Sequence, residues 1–333
     1  MEVITEETEA YILFKPKERT SPMVFDSPHS GTLYPQDFGF NPELPGEITS
    51  AKPLLPRLLR QPEDTYVDDL YKRVVQFGAP LLVAKFPRTY IDLNRSLMSI
   101  FPEVVRGGWS GEFNQNDDKA KKGVGLIWMQ CVDPQRTPIY KPGEEPDEDA
   151  IRHRIDTYYT PYHAKLAELI KEARAKFPRV FHINCHSMPS RGWPVEVDSG
   201  KERPHIVLGN RDIPESSKGP TCSKEFINFV EEQFLIQGYT VEQNFPYAGV
   251  EIIKRHAKPE EGIECLQIEI GRQIYESERT LNKFDTFSMT QEKVTDAMTR
   301  TNGFANRLAS EQRHARSQIP HSTPSQAPSL AAE

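Results

Sequence analysis

The chain has 333 residues, 37% hydrophobic and 27% charged, which is enough apolar material for one large core or two modest ones and excludes a fibre or a wholly disordered protein. With 41 Lys+Arg against 48 Asp+Glu the net charge is −7, and no cationic stripe is present to follow a phosphate backbone, so nucleic acid is not an expected partner. No run of about 18 apolar residues could span a bilayer, and the acidic start MEVITEETEA lacks the positive and apolar regions of a signal peptide, so no membrane association and a cytoplasmic location are expected.

In chain order, short β-branched or apolar runs alternate with amphipathic stretches. Strands are predicted at Met23–Ser27, Pro80–Ala84, Arg179–Asn184, His205–Leu208, Tyr239–Val241 and Ile263–Ile270. Helices are predicted over Thr65–Phe77, Asp147–Phe177 with a break at Pro161, Thr221–Gln237 and Gln291–Arg313. This alternation predicts an α/β fold: a single domain whose mixed, mostly parallel sheet lies between helices. Phe101–Pro146, rich in Gly, Pro, Asn and charge, reads as a long excursion bordering an active site. Residues 1–19 read as an N-terminal extension, 20–313 as the catalytic domain, and 314–333, a Ser/Pro/Ala-rich stretch, as a disordered tail. The four cysteines (131, 185, 222 and 265) form no CxxC pair, so free thiols are expected.

Nucleotide-binding and HExxH fingerprints are absent, which moves attention to polar clusters at strand ends, where open α/β sheets bind ligands. In Asp26-Ser27-Pro28-His29-Ser30-Gly31 a strand runs into an imidazole on a tight turn, either a surface turn residue or a ligand. In the stretch from His182 to Pro189, strand alternation puts His182, Asn184 and His186 on one face, where burial requires that they bond or ligate something. Glu269 stands inside the apolar run 267–271, as a general base or as half of a structural ion pair. In Arg88–Arg95, Asp92, Asn94 and Arg95 bring together a carboxylate, an amide and a guanidinium that can grip a carboxylate bidentately, or form one more surface salt bridge. A hydrolytic zinc takes three protein ligands and keeps one position open. His29 and His186 supply two, and the third is Asp64 or Asp68, four residues apart and on one face if a helix has begun, with helix capping as the alternative role for Asp64.

The ordered series DSPHSG (26–31), EDTYVDDLY (63–71), RTYIDLNR (88–95), HINCHSMP (182–189), GYTVEQNFPYAG (238–249) and QIEIGR (267–272) resembles the N-formylglutamate amidohydrolase family over residues 20–290. The resemblance implies a fold like that of the zinc carboxypeptidases (phosphorylase/hydrolase-like) and one Zn2+ per chain. It also implies hydrolysis of the amide bond of a small N-acyl amino acid such as N-formylglutamate. By the same resemblance His29, Asp64 and His186 are metal ligands and Glu269 the general base. Asn94 and Arg95 are the clamp for the substrate carboxylate, and the position of Arg272, three residues beyond Glu269, offers a second guanidinium to a dicarboxylic substrate. Two departures stand out. Thr32 occupies the place where zinc carboxypeptidases carry a glutamate ligand three residues after the first histidine, which is why Asp64 is preferred, with Asp68 as alternative. Tyr247-Ala248-Gly249 replaces a Tyr-Gly-Gly turn. The competing readings are a zinc carboxypeptidase acting on small peptides, a cysteine hydrolase using Cys185, and a non-catalytic binding protein on the same fold. Cys185 and His186 point to opposite faces of a strand, which disfavours the second.

Overall fold

In a computed structural model of the protein, residues 2–44, 56–194, 196–214, 216–217 and 219–317 are described. Eight strands form one sheet in the order β1-β2-β4-β3-β5-β8-β6-β7. They are β1 (Val3–Glu7), β2 (Tyr11–Pro16), β3 (Met23–Ser27), β4 (Leu81–Ala84), β5 (Val180–Met188), β6 (Ile206–Gly209), β7 (Val241–Gln243) and β8 (Ile263–Gly271). The central block β4-β3-β5-β8 is parallel, as is the β6–β7 pair, whereas β1–β2, β2–β4 and β8–β6 are antiparallel. The sheet is therefore mixed, with helices against both faces, as the alternation of elements predicts.

β5 and β8 are buried along their entire lengths, which is why they read as nearly continuous apolar runs. Alternation along them separates two cores. Phe25, Phe181, Ile183, Cys185, Leu266, Ile268 and Ile270 face α2 (Val67–Tyr71), α6 (Lys224–Ile236) and α8 (Phe287–Ser317). Val24, Val180 and Cys265 face the opposite core, which holds α4 (Glu148–Arg154), α5 (Thr160–Lys176), α7 (Glu251–His256) and much of the excursion between 101 and 146. Two further helical turns, α1 (Arg57–Arg60) and α3 (Asp118–Lys121), lie in the connections.

Three expectations need correction. The segment before residue 20 is no separate extension: it forms the β1–β2 hairpin, and β2 pairs with β4 as a member of the main sheet. Its face escapes a hydrophobic reading because β1 is an exposed, acidic edge strand. Pro161 does not break the helical run 148–176. The chain passes instead through a π turn at Ile155–Tyr159, and Pro161 occupies the first turn of α5, where the missing N–H costs nothing. Finally, α8 continues to Ser317, four residues into the expected tail, and the remainder, 318–333, lies outside the described residues. Among the described residues no helix is long and apolar enough to cross a membrane.

Candidate active site and metal centre

The carboxyl ends of the parallel strands build the site. After β3 the chain turns sharply through Pro28–Gly31, and Gly31 presses so closely on the backbone beyond β4 that a Cβ would lie 2.4 Å from the carbonyl oxygen of Phe86. Only glycine permits that approach. The turn presents His29, whose carbonyl accepts the N–H of Asp64 at 3.0 Å, fixing the segment before α2 against it. His186 lies near the end of β5, paired in register with Glu269 of β8. Both side chains belong to the α5 face.

His29, Asp64 and His186 converge, all buried, with one potential ligand atom from each within 4.8 Å of the others. Asp64 Oδ2 is 2.9 Å from His186 Nδ1 and 3.4 Å from His29 Nδ1. The outer nitrogens decide the tautomers. His29 Nε2 lies 2.8 Å from Asp92 Oδ1, a carboxylate that only accepts, so Nε2 carries the proton and Nδ1 is bare. That Nδ1 is buried without a hydrogen-bond partner. His186 Nε2 lies 2.7 Å from Asn184 Oδ1, an acceptor, and its Nδ1 lies 2.9 Å from Asp64 Oδ2, so with a cation at Nδ1 the proton belongs on Nε2. In that tautomer two nitrogen lone pairs and a carboxylate point at one another, an arrangement that a cation among them stabilises. The donor set fits a metal ion.

Burial pushes the Asp64 carboxyl upward, but the His186 and His29 imidazoles beside it outweigh that and hold the group well below the usual carboxylate range, so it is an anion. Burial lowers the His186 pKa, favouring the neutral imidazole that a ligand must be. Asp92, against the same burial, is held well below its ordinary value by Arg88, His29 and Arg95, and accepts further bonds from Trp128 Nε1 (3.1 Å) and the Asn94 N–H (2.9 Å). It orients His29 as outer carboxylates orient metal-bound imidazoles. Beside this centre Glu269 accepts a 2.8 Å bond from Gln267 Nε2, and burial together with the negative charge of Asp64 raises its pKa well above normal. A buried carboxylate and imidazole cluster with a poised acid–base group and arginines nearby is equipped for hydrolysis.

The N-formylglutamate amidohydrolase family profile matches residues 21–276. The crystal structure of N-formylglutamate amidohydrolase from Ralstonia eutropha JMP134 is 36% identical and superposes with a TM-score of 0.74, covering 92% of this chain and all of that one. An N-formylglutamate deformylase of Pseudomonas aeruginosa is 23% identical over 224 residues, which are 65% of this chain and 71% of the relative, and one from Pseudomonas putida is 23% identical over 218 residues. The chain belongs to the N-formylglutamate amidohydrolase family. It is an enzyme that hydrolyses amide bonds.

Within this amidohydrolase the remaining expected residues separate. Asp68 is not part of the cluster: α2 begins only at Val67, after Tyr66 in the left-handed conformation, so Asp64 precedes the helix and shares no helical face with Asp68. Nor does Asp64 cap α2, whose N-cap is Tyr66. Asp68 instead has its carboxyl pushed up to about 6 by burial and by the charge of Asp69. Arg95 is half-buried at the rim, with Nε and Nη1 donating to the carbonyls of Val124 and Asn94, and Arg88 close enough that burial and that like charge both lower its pKa.

The other two members of the expected clamp are engaged elsewhere. Asn94 accepts the Ile252 N–H at 2.9 Å, donates to Gln267 Oε1 at 3.3 Å and sits 3.2 Å from His186 Nε2. It packs behind His186, pinning the start of α7, and does not stand beside Arg95. Arg272 is buried with its donors on Ser187 Oγ, the carbonyls of Gln61 and Glu63, and Asp64 Oδ1. It braces the loop that carries Asp64 and is occupied there, so it is unsuited to grip a substrate.

Three groups escape a reading of the sequence. Asp92 is visible only as a partner for Arg95. Arg88 donates twice to Asp92 Oδ2 while its guanidinium lies 5.1 Å from the Trp128 ring centroid. Arg203, from the loop before β6, is held by Asp198, Glu196 and the Tyr247 hydroxyl, and its charge reaches Glu269. The run Arg88-Thr-Tyr-Ile-Asp92 carries an i,i+4 Arg–Asp pair that signals the first two; nothing local signals Arg203. The Cys185 thiol lies in the core of the opposite face, away from the His186 imidazole, and burial drives its pKa well up, so it is not poised as a nucleophile.

Proposed function

We propose that this amidohydrolase is a zinc enzyme that hydrolyses N-formylglutamate or a closely related N-acyl amino acid, using one zinc per chain. The observation that carries this reading is the convergence of the buried His29 and His186 imidazoles and the Asp64 carboxylate beside Glu269, a nitrogen and oxygen donor set of the kind that hydrolytic zinc sites use with one position left open. His29, Asp64 and His186 hold the metal. When bound, zinc supplies a Lewis acid for the amide carbonyl and an acidified water.

The chain's own groups do the rest. Glu269 takes a proton from the attacking water and passes it to the leaving nitrogen, so that water and the formamide become formate and a free amino acid. Its raised pKa suits a group that must hold a proton between two steps. Asp92 keeps the His29 proton on Nε2, and Arg272 keeps Asp64 in place. Arg95, with Arg88 beside it, receives the substrate carboxylate through parallel N–H···O bonds. The names of the Pseudomonas and Ralstonia relatives support the choice of acyl group and amino acid.

The test is a comparison of kcat/KM for N-formylglutamate and for the derivative whose α-carboxylate is an amide. The acid should be preferred by at least tenfold, since the amide forfeits charge-assisted hydrogen bonds worth roughly 1.5 to 3 kcal/mol, and Arg95→Ala should erase the preference. Equal rates on both compounds in the wild type would overturn the clamp.

A further inference from the structure

Behind the metal centre, on the same face of the sheet, lies a second buried group that the reaction does not touch. Asp26 of β3 pairs in register with Asn184 of β5. Its Oδ1 accepts His182 Nε2 at 2.7 Å and Asn184 Nδ2 at 2.9 Å, and its Oδ2 accepts the Tyr162 hydroxyl at 3.0 Å. All four residues are buried. Burial pushes the Asp26 carboxyl up, yet the His182 and Asn184 bonds prevail and leave it below the ordinary value, so the group is a full acceptor. A carboxylate accepts and cannot donate, so the Asn184 amide has one orientation: NH2 toward Asp26, oxygen toward His186. The oxygen is the atom 2.7 Å from His186 Nε2.

Asn94 makes the orientation consequential. The Ile252 N–H fixes Asn94 Oδ1, which turns Asn94 Nδ2 toward His186 Nε2 at 3.2 Å. That nitrogen therefore has a donor on one side and an acceptor on the other. If Asn184 were free to rotate, two NH2 groups would face Nε2, the proton would move to Nδ1, and the ligand lone pair would be lost.

We propose that Asp26 is a positioning residue of the metal centre, acting through Asn184 to hold the His186 proton on Nε2 and leave Nδ1 free to ligate. The proposal rests on the reading of His29, Asp64 and His186 as metal ligands. Asp26 is to His186, at one remove, what Asp92 is to His29 directly: the carboxylate that selects the tautomer.

The test is zinc affinity of the full chain, measured by competition with a chromogenic chelator. Asp26→Leu, which keeps the branched shape and removes the acceptor, should weaken zinc binding by about 10- to 100-fold. Asp26→Asn, whose amide oxygen still accepts from Asn184, should stay within about threefold of wild type, an outcome that loss of packing alone would not give. Asn184→Leu should weaken binding as Asp26→Leu does, and the double variant should be no weaker than either single one, because both act on one path. Additive losses, or wild-type affinity in folded Asp26→Leu, would overturn the relay. Should Asp26→Leu not fold, Asn184→Leu decides alone, and tight zinc binding in it overturns the relay. His186→Ala separates the two levels. If it binds zinc normally, the metal-centre reading has failed. If it loses zinc while folded Asp26→Leu does not, only the relay has failed.

Discussion

The two faces of β5 and β8 differ more than any two regions of the molecule, although their residues alternate along the same nine-residue strands. On the α5 face His182, Asn184, His186, Gln267 and Glu269, linked through Asp26 and Asn94, form a continuous hydrogen-bonded ribbon that passes through the candidate metal centre. On the α8 face Phe181, Ile183, Cys185, Leu266, Ile268 and Ile270 form a dry core. The contrast teaches where function and stability reside. Polar groups on one face are tolerated because they bond each other, so altering them should change chemistry first; apolar groups on the other face carry packing, so altering them should change stability first.

The largest effect that would sharpen this contrast is on turnover. Glu269→Gln should keep the fold and the metal and lower kcat by about 100- to 10,000-fold. Near wild-type turnover with metal bound would remove Glu269 from the mechanism. Just beyond the ribbon lies Glu276, a carboxyl with no hydrogen-bond partner on either oxygen. It is buried, and its nearest cation, Arg272, is 3.7 Å away. Burial raises its pKa to about 8, against the attraction of Arg272.

A carboxyl whose pKa is higher when folded binds more protons in the folded state. Its contribution is therefore fully present below the ordinary value near 4.5 and is lost as pH rises toward 8. Glu276→Gln should flatten the fall in unfolding free energy over that window, by on the order of 5 kcal/mol between its ends. An unchanged pH profile in urea titrations would show that Glu276 is not neutral when folded.

On the dry face, Ile268→Ala should lower unfolding free energy by about 3 kcal/mol through the cavity it leaves, with metal affinity nearly unchanged. A loss of metal without a loss of stability would contradict the division between the faces. The smallest effect concerns Cys185→Ala, which should cost about 1 kcal/mol in stability and leave kcat within twofold, since the thiol packs in the opposite core. Abolished turnover in that variant would reopen the cysteine-hydrolase reading.

Much of this was legible in the residues themselves, and the parts that were not have physical causes. The six strands from β3 to β8 announce themselves by β-branched runs, and alternation alone places His182, Asn184 and His186 on one face. β1 and β2 were missed because an edge hairpin can be acidic and half-exposed, leaving a weak apolar pattern. His29 and His186 could be picked out because polar residues at strand ends are unusual. Asp64 could be preferred over Asp68 only by resemblance, since the helix start that separates them depends on Tyr66 adopting a left-handed conformation. The pairing of Asn94 with Arg95 failed for a simpler reason. Neighbours in a turn point in different directions, and Asn94 turned inward to His186 while Arg95 stayed at the rim.

The account stands on the three-residue centre, and the most direct measurement of it is the zinc content of purified protein by elemental analysis, with Asp64→Ala and Asp68→Ala compared with wild type. The centre built from His29, Asp64 and His186 predicts about one zinc per chain in wild type and in Asp68→Ala, and almost none in Asp64→Ala. Full zinc occupancy in folded Asp64→Ala would contradict it.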